Sequence, residues 1–307
     1  MTNARVQVAV IRVLRNCGFC GLLLAATAAM GQRGLMDVDD YARLPKPSPD
    51  QVIRYGDSRQ QIGHLRMPAK QGPVPIAIVI HGGCWLADFD LRGTSAMSAA
   101  LTARGIATWN IEYRRLGNRG GGWPGSLEDV ATATDHVREL AAHYPIDLDR
   151  IIAVGHSAGG QLALWLAARR RLPPSAPGAT DPLPIHGVVS LAGVTDLVAA
   201  EQFNVCGSSV RRLLRGSPEQ EPERYVLTSP ASLLPLGVPQ ILFHGSRDPI
   251  VRPVFSSAYV AAAQQAGDVA RFVELDAAGH FEPVSPRSAV WNEIEDTIVG
   301  FLAELAK

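Results

Sequence analysis

One serine, one aspartate and one histidine in this chain have the types and spacing for nucleophilic acyl transfer. In GHSAGG, residues 155–160, the G-x-S-x-G pattern sets Ser157 between Gly155 and Gly159. RIIAV precedes it and QLALWLAARR follows, so Ser157 stands where a buried strand turns into a helix. Such an elbow holds its central residue in a strained turn and exposes the side chain, and Gly160 allows neighbouring backbone to come close. The helix that follows directs its N-terminal amides at developing negative charge. A plain turn serine shares the short pattern; the flanking context is what separates Ser157 from it. A hydroxyl is a weak nucleophile at neutral pH and needs a base, which in turn needs an acid to fix its tautomer. With the order serine, acid, histidine, the partners are Asp248 in HGSRDPIV and His280 in LDAAGHFEP. Both fall in loops beyond expected strand ends, the edge at which open parallel sheets carry their sites.

Rival residues exist for each part. Asp196 in AGVTDL also follows a strand and reads as a pocket residue, a loop cap or a rival acid. Asp276 lies only four positions before His280, which suits a separate acid loop poorly. His244 falls inside the apolar QILFHG and reads as a packed histidine. His156 points away at the elbow, and Glu282 reads as a solvated loop charge. HGGCW, residues 81–85, raises a different question, because Cys84 follows two glycines built for a turn. Cys84 has no neighbouring base and no metal-ligand spacing around it.

The cysteines are Cys17, Cys20, Cys84 and Cys206. This is no disulfide framework for a chain of 307 residues, and whether Cys84 and Cys206 meet is left open. CGFC lies in an apolar stretch rather than at a strand-to-helix turn, which speaks against a redox motif. His81, His156, His244 and His280 are scattered, so no metal and no cofactor is expected. The 29 basic residues balance 29 acidic ones without a block of one sign, which argues against a nucleic-acid partner. Aromatics are 6% of the chain, too few for a ring-lined carbohydrate surface. The partner expected is a small-molecule ester or amide; oligomeric state is open.

Arg5, Arg12 and Arg15 precede CGFCGLLLAATAAMG, with small residues at Ala26–Ala29. The pattern is that of a secretory signal peptide, and the apolar run is short for a stable membrane span. Residues 1–35 are therefore expected to be a leader and a secreted or periplasmic location is favoured, the competing reading being a false upstream start before Met30 or Met36. Residues 36–49 are expected as a linker and 50–307 as one catalytic domain.

Strands are expected in QVIRYG, QQIGHLRMP, PVPIAIVIHGG, GIATWNIEYR, at 185–193, 240–246 and 271–279. The first two read as short strands, whereas PVPIAIVIHGG, a continuous apolar run whose pattern GIATWNIEYR repeats, suits a parallel sheet covered on both faces. A helix is expected from a Ser126 cap, with Asp129 at its third position, to just before Pro145, and further helices at 253–266 and 286–306. Alternating strands and helices give one α/β domain with a largely parallel sheet. GNRGGGW reads as a mobile loop near the pocket, and 194–235 as a short insertion carrying part of it.

Together, HGGCW, GHSAGG, HGSRDPIV and the final GH resemble α/β-hydrolases. Within them the chain is similar to the esterase, formamidase and prolyl-oligopeptidase-type group related to hormone-sensitive lipase, over roughly residues 50–306. The resemblance implies a three-layer fold with at most a small cap, and a triad of Ser157, Asp248 and His280. It implies an oxyanion hole of the backbone amides of Gly83, Cys84 and Ala158, with Gly82 in the turn, His81 bracing it and Trp85 packed beneath. Lipase-like members carry a third glycine where this chain has Cys84; the HGGxW form is more like arylformamidases, feruloyl-type esterases and related carboxylesterases. The YRR motif at 113–115 and the loop Gly121–Gly125 also follow the group, with Arg114 and Asp129 as a structural pair. The implied reaction is hydrolysis of a small or medium carboxylic ester, with formamide or other amide hydrolysis as the alternative. A peptidase lacks its gating domain here, and a binding protein without catalysis would not keep the whole set.

Overall fold

Alternation along one strand divides the hydrophobic core in two. In β3 (Val74–Ile80), Ile76, Ile78 and Ile80 join one cluster of buried side chains while Ala77 and Val79 join another. Successive strand side chains point to opposite faces, so both faces of this strand must be covered. The structure is a computed structural model describing residues 34–305. Its other strands are β1 (Gln51–Arg54), β2 (Ile62–Arg66), β4 (Ala107–Ile111), β5 (Ile146–His156), β6 (Gly187–Leu191), β7 (Gln240–Gly245) and β8 (Ala270–Leu275).

They form an eight-stranded sheet in the order β1-β2-β4-β3-β5-β6-β7-β8. β2 is antiparallel to β1 and to β4, and every later pair is parallel. The helices Gly125–Asp135 and Ala158–Ala168 cover the face with Trp109, Leu162 and Trp165. Ser95–Ala103 and Trp291–Glu304 cover the other, with Met97, Leu101, Ile294 and Ile298. This is the three-layer α/β-hydrolase architecture expected from the sequence.

Register brings the important loops together. Ile80 is opposite Gly155, so the HGGCW turn and the serine elbow leave neighbouring strand ends. Gly245 is opposite Leu275, so the loops bearing Asp248 and His280 also leave side by side.

Several expectations are corrected. The helix expected over 126–144 is two, Gly125–Asp135 and Val137–His143, and Ser126 does not cap it. Ser126 lies inside the first turn, where its Oγ accepts from Gly122 N–H at 2.9 Å and donates to the Arg114 carbonyl. Residues 36–49 do not behave as a linker. They carry the helix Val38–Ala42, bury Tyr41 and Leu44, and Arg66 donates to the Pro47 carbonyl at 2.6 Å. The glycine-rich loop is pinned at both ends: Leu116 N–H donates to Trp85 O at 2.8 Å and Trp123 N–H to Leu213 O at 2.7 Å. The insertion is helical, with Leu197–Gln202, Ser209–Leu214 and Pro222–Thr228. The leader reading falls on residues that, but for Gly34 and Leu35, lie outside those described. Among the described residues no helix is long and apolar enough to cross a membrane.

The expected Arg114–Asp129 pair is present and closes the start of the first of these helices. The buried Asp129 carboxylate accepts from Arg114 Nε at 2.8 Å, Arg114 Nη2 at 2.6 Å, Arg114 N–H at 2.9 Å and Gln61 Nε2 at 2.8 Å. Removing one member strands the donors left behind, so Asp129→Ala should lower unfolding free energy by about 3 kcal/mol. Urea denaturation measures this; a change under roughly 0.5 kcal/mol, the range of ordinary surface substitutions, would contradict the pairing.

Candidate active site

Ser157 directly follows β5 and has φ 55° and ψ −119°, a positive-φ conformation that non-glycine residues seldom adopt. Four main-chain bonds hold it there. Its N–H donates to Leu191 O at 2.9 Å, and its carbonyl accepts from Gly160, Gln161 and Val194 at 2.9, 3.2 and 3.3 Å. The flanking glycines are required by contact. A Cβ on Gly155 would stand 2.0 Å from Gly159 O, and one on Gly159 2.1 Å from Ile80 O. Ala158 is the first residue of the buried helix Ala158–Ala168, so its N–H has no intrahelical acceptor.

The HGGCW turn lies directly against this elbow. A Cβ on Gly82 would come within 2.7 Å of His156 O and 2.9 Å of Ser157 Cβ. Beneath the turn, His81 Nε2 is 3.0 Å from Glu112 Oε1, His81 Nδ1 is 2.8 Å from Gly82 O, and the imidazole stacks on Tyr113. The buried Glu112 also accepts from Tyr113 N–H at 2.9 Å and pairs with Arg115 at 3.0 Å. Trp85 is fully buried, and its indole N–H donates to Gln161 Oε1 at 3.1 Å. Among the described residues the amides of Gly83, Cys84 and Ala158 have no protein acceptor, so all three remain free for a ligand oxygen. Cys84 is disulfide-bonded to Cys206, a pairing the sequence left open, and carries no thiol.

Asp248 and His280 meet as the sequence expects. His280 Nδ1 donates to Asp248 Oδ2 at 2.6 Å, leaving Nε2 as the basic nitrogen. The other carboxylate oxygen accepts from the amides of Ile250 and Val251 at 2.8 and 2.9 Å. Burial works to raise the Asp248 carboxyl, yet hydrogen bonds from His244 and His280 and the electrostatic attraction of those two rings hold it well below the usual carboxylate range. His244 thus does more than pack. Its Nε2 is 2.7 Å from Val251 O and 3.2 Å from Asp248 Oδ2, both acceptors, so Nε2 carries the proton and Nδ1 accepts from Ser256 at 2.7 Å.

Ser157 Oγ has no hydrogen-bond partner among the described residues, and such contacts commonly tighten only with substrate bound. The elbow and the histidine loop are joined instead through His156, whose Nε2 donates to His280 O at 2.9 Å. The two imidazoles lie 4.9 Å apart between centroids. Burial, and then the neighbouring His280, lower the His156 pKa to about 3, which keeps its ring neutral.

The rivals take other places. Asp196 caps the helix Leu197–Gln202, accepting from Val198 and Ala199 amides at 2.9 and 3.1 Å. Asp276 is exposed at the end of β8. Glu282 is not a solvated charge: it accepts from Met36 N–H at 2.7 Å and Gly279 N–H at 3.0 Å, tying the start of the described chain to the His280 loop. Sequence reasoning missed Glu112, Gln161 and the His244–Asp248 contact. Only Glu112 had a local signal, as the residue before YRR at the end of a buried strand.

The BD-FAE family profile matches residues 64–262. Over 211 residues the chain is 28% identical to Esterase LipQ of Mycobacterium tuberculosis, covering 67% of this chain and 50% of that one. Over 282 residues it is 24% identical to Esterase LipC of the same organism, covering 81% and 67%. The chain thus spans about half the length of LipQ. Among solved structures, a truncated carbohydrate esterase from gut microbiota matches with TM-score 0.71 at 19% identity, over 86% of this chain and 99% of that one. Est2 of Thermogutta terrifontis, a thermophilic esterase, matches with TM-score 0.69 at 21% identity, over 87% and 97%. At those identities the two structures share the fold.

The neutral His156 makes acid destabilising. Below about 6.5 an unfolded histidine takes up a proton that the folded one refuses until about 3, so the unfolded state binds more protons in that window. Stability should therefore fall as pH drops from 6.5 towards 3. His156→Gln keeps an amide donor for His280 O and should flatten part of that slope in urea midpoints measured from pH 7.5 to 4. Identical slopes in both proteins would contradict the assignment.

Proposed function

The chain belongs to the BD-FAE family, and from that membership we propose that it is a serine hydrolase cleaving carboxylic esters of small or medium-sized substrates. The observation that carries the reading is the convergence, at the carboxyl ends of β3, β5, β7 and β8, of a strained serine, a carboxylate-held histidine and three free amides. The relatives LipQ and LipC are named esterases, which supports an ester substrate. The finer reading places the chain with the HGGxW esterases, and the turn's contact with Ser157 supports it.

In the proposed reaction, His280 Nε2 removes the Ser157 hydroxyl proton as Oγ attacks the ester carbonyl. Asp248 steadies the resulting imidazolium. The amides of Gly83, Cys84 and Ala158 receive the oxyanion, which develops where no protein acceptor competes for them. Collapse of the tetrahedral species breaks the carbon–oxygen bond to the alcohol, which leaves with the proton from His280. Water then attacks the acyl-enzyme, giving its proton to His280, and the carboxylic acid departs as Ser157 is reprotonated. Est2 of T. terrifontis is described with propionate and with butyrate bound, which makes short acyl chains the first to test.

A disulfide persists in oxidising compartments and is rare in the cytosol. The Cys84–Cys206 bond therefore supports the secreted or periplasmic reading of the leader. Exported protein should begin downstream of Ala29; N-terminal sequencing that finds residues 1–25 retained would contradict this.

Ser157→Ala should abolish labelling by a fluorophosphonate probe and hydrolysis of p-nitrophenyl acetate and butyrate. Asp248→Asn should lower kcat by about 10³- to 10⁴-fold. Labelling that persists at another residue would contradict the nucleophile, and faster turnover of N-formyl amides than of every ester would contradict the substrate class.

A further inference from the structure

We propose that Cys206 is a positioning residue for the oxyanion hole, acting through its disulfide to Cys84, so that reducing this one bond slows turnover while the fold persists. The inference rests on the ester-hydrolase reading above. It starts from an imbalance in how the hole turn is held. Cys84 and Trp85 are consecutive non-glycine residues with φ 52° and 57°, both in the left-handed region. Such backbone persists only where its surroundings over-determine it.

The neighbours of Cys84 are well fixed. His81 Nδ1 meets Gly82 O at 2.8 Å, Leu86 N–H donates to Gly83 O at 2.9 Å, and Leu116 N–H donates to Trp85 O at 2.8 Å. Cys84 itself is different: among the described residues neither its N–H nor its carbonyl is hydrogen-bonded within the protein. The Cys84 N–H shares a planar peptide unit with the Gly83 carbonyl, so the bond from Leu86 sets its plane on one side. On the other side, the Cys84 α-carbon is restrained through its side chain, which ends in the bond to Sγ of Cys206.

The far end of the bond rests on fixed ground. Val205, next to Cys206, is buried and donates its N–H to Ala200 O at 2.8 Å, and Cys206 O accepts from Ser209 N–H at 3.2 Å. The same insertion is tied to the nucleophile helix by a second path, from Trp85 through Gln161 Nε2 to Thr228 O at 3.0 Å. Two links therefore hold the turn to the insertion: a hydrogen-bonded one at Trp85 and a covalent one at Cys84. The covalent one acts directly on Cys84, one of the three residues whose amides form the hole.

A dithiol such as dithiothreitol would open the covalent link. One of its thiolates attacks a disulfide sulfur, the Sγ–Sγ bond breaks, and the second thiol closes the oxidised ring. Two electrons and two protons pass to the protein, leaving Cys84 and Cys206 as thiols.

The test uses the full chain with p-nitrophenyl acetate, below the thermal midpoint of every form compared. Reduced wild type should lose kcat by roughly tenfold or more, the scale of a misplaced hole donor, with KM changed less than about twofold. Cys206→Ser should show the same loss without reductant and no further response to it. Cys84→Ser/Cys206→Ser should be no worse than Cys206→Ser, because both break one bond. The rate of fluorophosphonate labelling at Ser157 should fall in parallel, since its oxygen uses the same amides. Folded, reduced wild type that keeps kcat within twofold would overturn the proposal, and reduction of prefolded protein carries this test even if the variants fail to fold. Reduction that unfolds the chain outright would also overturn it, since the bond would then hold the fold and not the hole. Oxidised wild type that neither hydrolyses esters nor labels at Ser157 would overturn the ester-hydrolase reading, and this inference with it.

Discussion

Two stretches of main chain must touch with no side chain between them. The turn after β3 carries Gly82 against His156 O and Ser157 Cβ, and the elbow after β5 carries Gly159 against Ile80 O. Any Cβ at either position would come within 2.9 Å of these atoms, closer than real Cβ atoms pack. The parallel pairing of Ile80 with Gly155 sets this contact, because it makes both chain segments leave the sheet at the same level. Free amides from the turn and from the helix start can then face one volume beside the serine. Everything else in the site adjusts around this backbone contact.

The polar groups under it form two separate anchors. Glu112 gathers His81, Arg115 and the Tyr113 amide beneath the turn, and buried charge of this kind is tolerated only when its acceptor sites are used. Asp248 gathers His280, His244 and two amides beneath the His280 loop. Those donors favour the ionised carboxylate despite its burial, which gives His280 a fixed tautomer and a lasting negative partner. His156 joins the serine elbow to the His280 loop while staying uncharged, so it adds no competing positive charge beside His280.

Much of this was legible from local pattern. Ser157 and Asp248 follow apolar runs that read as buried strands, His280 follows the partly exposed edge strand β8, and the edge rule for parallel sheets then groups them. The HGGCW turn was legible only by resemblance. What escaped was long-range pairing. Glu282 meets Met36 across 246 positions and Cys84 meets Cys206 across 122, and no periodicity or spacing reports such contacts. Residues 36–49 looked like a linker because their prolines and charges mask two buried side chains, Leu44 and Tyr41, the latter stacked on Phe281 beside the histidine. Ser126 had the composition of a cap, but tertiary bonds to Gly122 and Arg114 drew it inside the helix. His244 was read correctly as packed, and its contact with Asp248 depended on how the chain turns after β7.

The most direct measurement is a crystal structure of the protein after reaction with a fluorophosphonate. The account predicts phosphorus on Ser157 Oγ, one phosphonyl oxygen about 3 Å from the amides of Cys84 and Ala158, and His280 Nε2 facing the adduct. A phosphonyl oxygen pointing away from those amides, or an adduct on another residue, would contradict it.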